Sequence, residues 1–218
     1  MTSSRQHLLE LLAEKSFRLG EFKLSSGSTS DYYVDCRTTT LDGEGARLTG
    51  RVVLDAIRAQ GWNPHAIGGM TLGADPIVVS AAVLSAQQMQ VRSSPVQPDL
   101  PAWRVNGFLV RKAEKAHGTG QRIEGFCQPG AAVVIVDDVC TTGASTIGAI
   151  EAARAAGMKV VGVLCLVERE EAGGRANVER AAHPAPFVAI FKASEIRAEH
   201  LRHKQQPGTS NSAAAPTD

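Results

Sequence analysis

The chain has 218 residues, enough for one well-buried α/β domain with loops and a tail, and too few for two full domains. Its 23 basic and 22 acidic residues give a formal net charge of +1, so no polybasic footprint offers itself to nucleic acid or anionic lipid. Four cysteines (Cys36, Cys127, Cys140 and Cys165) form no Cys-x-x-Cys pair, which argues against a zinc site or a disulfide framework, and no apolar run approaches the roughly 18 residues of a membrane span.

The N-terminus carries no long apolar segment of the signal-peptide kind, so an unexported, cytoplasmic protein is the expectation. Leu8, Leu9, Leu11 and Leu12 recur at helical spacing behind the capping residues Ser3 and Ser4, which predicts a first helix reaching Lys15. Residues 21–24 and 32–35 read as short strands on either side of the turn-forming Ser25-Ser26-Gly27, a hairpin. An amphipathic helix is predicted over 44–60, with Leu48, Val52 and Ile57 on its apolar face and Gly61 ending it. A strand through Ala66 and Ile67 leads into the Gly-rich run from Gly68 to Asp75, with a helix opening at Pro76, and that loop is a candidate for anion contact. Residues 86–106 mix Gln, Ser and Pro without periodicity and read as an inserted loop that Trp103 pins down. Strand, loop and helix then repeat at 108–111, 132–156 and 160–167, which gives an α/β fold with a parallel sheet and right-handed crossovers. From Lys204 onward the chain is polar, small-residue sequence with nothing to bury, and disorder is expected there.

The most informative stretch is 133–146, Val-Val-Ile-Val-Asp-Asp-Val-Cys-Thr-Thr-Gly-Ala-Ser-Thr. Residues 133–136 have the pattern of a strand buried on both faces. Asp137 and Asp138 are expected to leave the sheet at its carboxyl end, where open α/β folds bind ligands. The hydroxylated turn that follows lets Gly143 bring backbone close to an anion at a helix start. Strand, acid pair and anion-ready turn together suit a phosphorylated sugar, with phosphate on the loop and carboxylates toward the ribose hydroxyls. No Gly-Lys-Ser/Thr ending is present, so this is not a Walker loop. Cys140 lies inside the segment without a base beside it in sequence, and reads as a small packing residue rather than a nucleophile. A second constellation, Arg111-Lys112-Ala113-Glu114-Lys115-Ala116-His117-Gly118, sets four potential cations within seven positions, as a flexible loop closing over a diphosphate would need.

The 133–146 segment resembles the 5-phosphoribosyl 1-diphosphate (PRPP) motif of type I phosphoribosyltransferases. The order Arg-Lys-x-x-Lys-x-His-Gly narrows the likeness, because it resembles the catalytic loop of the orotate phosphoribosyltransferase family. Phe22-x-Leu24-Ser25-Ser26-Gly27-x-x-Ser30-x-Tyr32-Tyr33 is similar to that family's substrate-proximal hairpin, and Val167-Glu168-Arg169 stands where the family has an acid followed by an arginine that meets orotate's carboxylate. The likeness runs from about residue 17 to 169. It implies a central parallel sheet flanked by helices, one domain over 1–203, a small N-terminal hood of about residues 1–40 and a tail over 204–218.

The resemblance also implies roles. Asp137, Asp138, Val139, Cys140, Thr141, Thr142, Gly143, Ala144 and Ser145 would hold PRPP. Thr141, Arg169 and Tyr33 would contact orotate, while Lys115, Arg111, His117 and Lys112 would grip the leaving diphosphate. Mg²⁺ would be held mainly by the diphosphate itself, and the enzyme would be a homodimer with shared active sites. Many bacterial members carry a lysine just before the hairpin's Ser-Gly and another in the first Gly-rich loop, where this chain has Ser25 and Gly73. The competing expectations are a purine or uracil phosphoribosyltransferase on the same scaffold, which has no use for Arg169, and a PRPP-sensing regulator, which needs a nucleic-acid module that the chain has no length for.

Overall fold

The computed structural model describes residues 3–23, 29–92, 103–112 and 122–205. Helix α1 (Ser4–Leu11) is capped by the Ser3 hydroxyl, which accepts from the Gln6 amide at 3.2 Å, and it continues as one wider π-helical turn, Leu12–Ser16. Strands β1 (Phe17–Lys23) and β2 (Thr29–Val34) pair antiparallel into the predicted hairpin, both longer than sequence alone suggests; the Ser25-Ser26-Gly27 turn lies outside the described residues. Phe17 stacks on Tyr32 with ring centroids 5.3 Å apart, and its other neighbour is the His200 ring at 5.2 Å, so the hairpin is seated on aromatic packing.

The short α2 (Arg37–Thr40) leads to α3 (Gly43–Ala59), whose N-cap Asp42 accepts from the Gly45 amide at 3.0 Å and is bridged by Lys15. Next come β3 (Ala66–Met70), α4 (Ala74–Arg92), β4 (Asn106–Val110), β5 (Ile123–Gly125), β6 (Ala132–Cys140), α5 (Ala144–Ala155) and β7 (Lys159–Glu168). A one-turn 3₁₀ helix (Glu170–Ala172), α6 (Gly174–Ala182), β8 (Phe187–Lys192) and α7 (Ala193–Gln205) complete the described chain. The larger sheet has the order β5-β4-β3-β6-β7-β8; every neighbouring pair is parallel except β4 and β5.

Alternation along β6 and β7 divides the core in two. Val134, Val136, Leu164 and Leu166 face the cluster shared with α1, α3, α4 and α7, whereas Val133, Ile135, Val163 and Cys165 face the cluster shared with α5 and α6. The α/β reading of the sequence holds, with three differences. Helix α4 runs seven residues into the predicted 86–106 loop, because the glutamines at 87, 88 and 90 are good helix formers and no breaker precedes Ser93. Trp103 is half-buried under the Arg58 guanidinium, 5.6 Å from its ring centroid, while residues 93–102 lie outside the described part. Helix α7 includes Lys204 and Gln205, which the tail assignment had taken; residues 206–218 lie outside the described part. Strand β5, with only three residues, is too short to register as a period in sequence. Among the described residues no helix is long and apolar enough to cross a membrane.

The close approach of β3 to β6 depends on Gly69, where a Cβ would sit 1.9 Å from the Val136 carbonyl oxygen and 2.7 Å from the Ala74 Cβ. Gly69→Ala is therefore expected to cost about 1–3 kcal/mol through forced strand displacement. In thermal unfolding this corresponds to about 2–4 °C of Tm for each kcal/mol in a chain of this size. Gly43→Ala, which meets nothing within 4 Å at the start of α3, serves as the control and should leave Tm unchanged or raise it. A Gly69→Ala protein that melts with the wild type would show that β3 and β6 can move apart freely.

Candidate active site

Parallel strands place their carboxyl ends at one edge of the sheet, and there the hood and the core enclose a cavity of about 520 Å³. Its floor is the end of β6. Sequence reasoning put Asp137 and Asp138 beyond the strand, but pairing with β7 continues through Val139–Val167 and Cys140–Glu168, so both acids are held inside the sheet. Asp137 is only 4% exposed. Its Oδ2 accepts from the Thr146 hydroxyl at 2.5 Å and its Oδ1 from the Asp138 amide at 3.1 Å; Asp138 Oδ1 accepts from the Val139 amide at 2.9 Å. Burial pushes the Asp137 carboxyl up to about 7, against the Thr146 hydrogen bond, and the adjacent Asp138 charge adds to the rise. Burial also raises Asp138.

The carboxylate of Asp138 lies over Gly73, where any Cβ would come within 2.2 Å of its Oδ1. A lysine at position 73 would thus displace this acid, so the glycine and the placement of Asp138 go together. Thr71 lines the same wall, and its hydroxyl donates to Asp75 Oδ2 at 2.9 Å. On the far side, Thr141, Thr142 and Ser145 border the cavity where α5 begins, and Gly143 makes the turn with φ at +83°. Val139 also lines the cavity. Gly143 and Ala144 supply backbone to the turn without lining the cavity, and Cys140 is 1% exposed and packs into the α5/α6 core.

Arg169 follows β7, its amide donating to the Cys140 carbonyl at 3.0 Å. The side chain lines the cavity yet is 5% exposed. Its Nε donates to the Tyr32 hydroxyl at 3.2 Å and to Glu171 Oε1 at 3.1 Å; its Nη2 donates to Ser30 Oγ at 2.9 Å and to the same Glu171 oxygen at 3.0 Å. The guanidinium carbon stands 4.5 Å from the Tyr32 ring centroid. The preceding acid, Glu168, is buried and taken bidentately by Arg175, at 2.8 and 2.5 Å.

Tyr33 is 40% exposed and lines the cavity. Of the basic loop, Lys112 lines it as well, whereas Arg111 lies 3.6 Å from Glu124 of β5 and does not; Lys115 and His117 fall outside the described residues. Lys23, Asp35 and Arg37 also line the cavity, and no sequence motif points to them. Lys23 ends β1, and Arg37 is held at 2.8 and 2.9 Å by the two carboxylate oxygens of Asp35, so the cavity mixes cations with its acids. A single Asp-x-Arg gives no signal by itself.

The buried Asp137 has a consequence for pH. The folded chain keeps its proton up to about pH 7, while an unfolded aspartate releases it near 3.8. Between those values the folded state binds more protons, so this residue's contribution is fully present below about pH 4 and is lost as pH rises through 7. Asp137→Asn cannot lose a proton. Its Tm relative to wild type should therefore rise between pH 5 and pH 8; parallel Tm–pH curves for the two proteins would contradict the burial argument.

A family model described as a phosphoribosyl transferase domain matches residues 102–182. The orotate phosphoribosyltransferase of Aquifex aeolicus is 40% identical over 195 residues, covering 88% of this chain and 97% of that protein. The one from Streptomyces avermitilis is 41% identical over 196 residues, covering 90% and 98%. The crystal structure of Mycobacterium tuberculosis orotate phosphoribosyltransferase in complex with Fe(III) dicitrate superposes with a TM-score of 0.70 at 33% identity, covering 89% of this chain and 99% of that one. The same enzyme in complex with 5-phospho-α-D-ribosyl 1-diphosphate gives 0.67 at 29% identity, with the same coverage. At this identity and over this share of both chains, the chain belongs to the orotate phosphoribosyltransferase family.

Proposed function

We propose that this chain transfers the 5-phosphoribosyl group from PRPP to orotate, giving orotidine 5′-monophosphate and diphosphate in pyrimidine biosynthesis. One observation carries the reading: a single cavity holds an acid pair at a strand end, a hydroxylated turn at a helix start, and a nearly buried arginine. The orotate N1–C1′ bond forms as the bond from C1′ to diphosphate breaks; the electron pair leaves with the diphosphate, and the proton that N1 gives up passes to the diphosphate or to solvent. Such a reaction asks the protein for positioning and charge stabilisation rather than covalent help.

In this reading Asp137 and Asp138 receive the ribose hydroxyls, and residues 141–145 receive the 5′-phosphate at the start of α5. Lys112, with Arg111, Lys115 and His117 of the same loop, meets the diphosphate. Arg169 offers its guanidinium to the orotate carboxylate, and Tyr33 and Thr141 border the base. Mg²⁺ would be held chiefly by the diphosphate oxygens of PRPP. Bound there, the ion would neutralise charge on the leaving group. A cytoplasmic setting and a single catalytic domain over 1–203 belong to the same proposal.

A homodimer is part of it too. Leu41, Leu72, Val79 and Val83 are 71%, 66%, 57% and 52% exposed, and the first three border a largely apolar groove between α2 and α4. Thr40 Oγ1 and Asp75 Oδ1 are buried at this groove without a hydrogen-bond partner among the described residues. A second copy would cover the apolar face. Val79→Glu should then shift the protein from dimer to monomer in sedimentation; an unchanged mass would move the interface elsewhere.

Orotate, uracil, hypoxanthine and adenine offered in parallel with PRPP and Mg²⁺ test the reaction itself, and orotate should react fastest. Arg169→Ala should raise the orotate KM about ten- to a hundredfold, the worth of a charged hydrogen bond, with little change in the PRPP KM. Equal losses for both substrates would make Arg169 a tie between hood and sheet and nothing more.

A further inference from the structure

Three groups converge on Arg169, and none of them lines the cavity. Glu171 Oε1 accepts from both Nε and Nη2, Ser30 Oγ accepts from Nη2, and the Tyr32 ring lies against the guanidinium face. The same Glu171 oxygen accepts from the Tyr32 hydroxyl at 2.5 Å. Nη1 makes no hydrogen bond among the described residues, so the edge bearing Nε is spent on Glu171 while one amino group remains for the cavity. Glu171 itself is on the one-turn helix after β7. That turn is anchored by Glu170, whose carboxylate accepts from the Ser194 hydroxyl at 2.7 Å and from its amide at 3.3 Å at the start of α7.

We infer that Glu171 is a positioning residue for orotate: by holding one edge of the Arg169 guanidinium on the hood side, it aims the remaining N–H groups at the substrate carboxylate without touching it. This rests on the base site proposed above. An arginine side chain has many rotamers to lose, so an unheld guanidinium would have to be ordered by the substrate itself. Glu171 is suited to the task. Burial alone would push its carboxyl up, but the hydrogen bonds from Tyr32 and Arg169 outweigh that and bring it below the usual range, so it is an anion at neutral pH. Tyr32 is pushed up to about 12 by burial and by its bond to Glu171, so it stays a donor. The two carboxylates, Glu171 and orotate, would then approach one guanidinium from different edges, and the cation is shared rather than contested.

The test uses initial rates of the full-length enzyme with Glu171→Ala, Glu171→Gln, Arg169→Ala and the Arg169→Ala/Glu171→Ala pair. Glu171→Ala should raise the orotate KM about tenfold and leave kcat and the PRPP KM within about twofold. Glu171→Gln keeps an oxygen acceptor and should return the orotate KM to within about threefold of wild type. The double variant should be no worse than Arg169→Ala alone, because a positioner has nothing left to position. A fall in orotate KM on removing Glu171 would make it a competitor of the substrate and overturn the inference. So would an unchanged KM, a matching rise for PRPP, or losses that multiply in the double variant. If Arg169→Ala raises the orotate KM and Glu171→Ala does not, only the positioning role fails; if Arg169→Ala leaves it untouched, the base site fails and the inference with it.

Discussion

The pairing of β6 with β7 does not stop where the apolar run stops; it continues through Val139 and Cys140, and this carries two carboxylates into the body of the sheet. Backbone hydrogen bonding at a parallel ladder is what keeps them there, since a carboxylate left to itself would turn toward water. The cost is visible in the raised proton affinity of Asp137. It is limited by local donors, namely the Thr146 hydroxyl from the first turn of α5 and the amides of Asp138 and Val139. Helix α5 therefore has two tasks, to open onto the cavity at residues 141–145 and to hold Asp137 from behind. Its start is placed by the positive φ of Gly143, which only glycine adopts without strain.

The second dependence is between hood and sheet. The hairpin is a two-stranded ribbon, marginal by itself, and it is seated by the Phe17–Tyr32–His200 ring packing and by Arg169. An arginine that is 5% exposed must have its charge answered, and Glu171 answers it. One consequence is that the reading of Arg169 as a substrate contact and its reading as a structural clamp are not alternatives. The guanidinium has more donors than the hood uses, and in the proposed chemistry the remainder serve the base.

Charge in the cavity is mixed rather than uniformly positive, which suits a substrate with anions at both ends and a sugar between them. Lys23, Arg37 and Lys112 stand among Asp35, Asp137 and Asp138. Arg37 is ordered by Asp35, and Asp138 reaches its place because position 73 has no side chain. The lysine that many family members carry in that loop would occupy the space the acid fills here.

Much of this was legible in the sequence. Residues 133–136 have the pattern of a doubly buried strand, the small hydroxylated residues after them gave the turn, and the motif order along 111–118 and 167–169 narrowed the family. These signals are local: burial pattern, turn chemistry and short spacings are written in consecutive residues. The pairing that buries Asp137, the contact of Glu171 with Tyr32 across 139 positions, the Asp138–Gly73 fit and the exposed face of α4 are not local. The sequence by itself determined the α/β class, the strand–turn–helix unit and the chemical types of the site. Only the tertiary structure decided which charges face one another and which are buried, because a carboxylate's proton affinity and an arginine's direction are set by neighbours that the chain brings together from far apart.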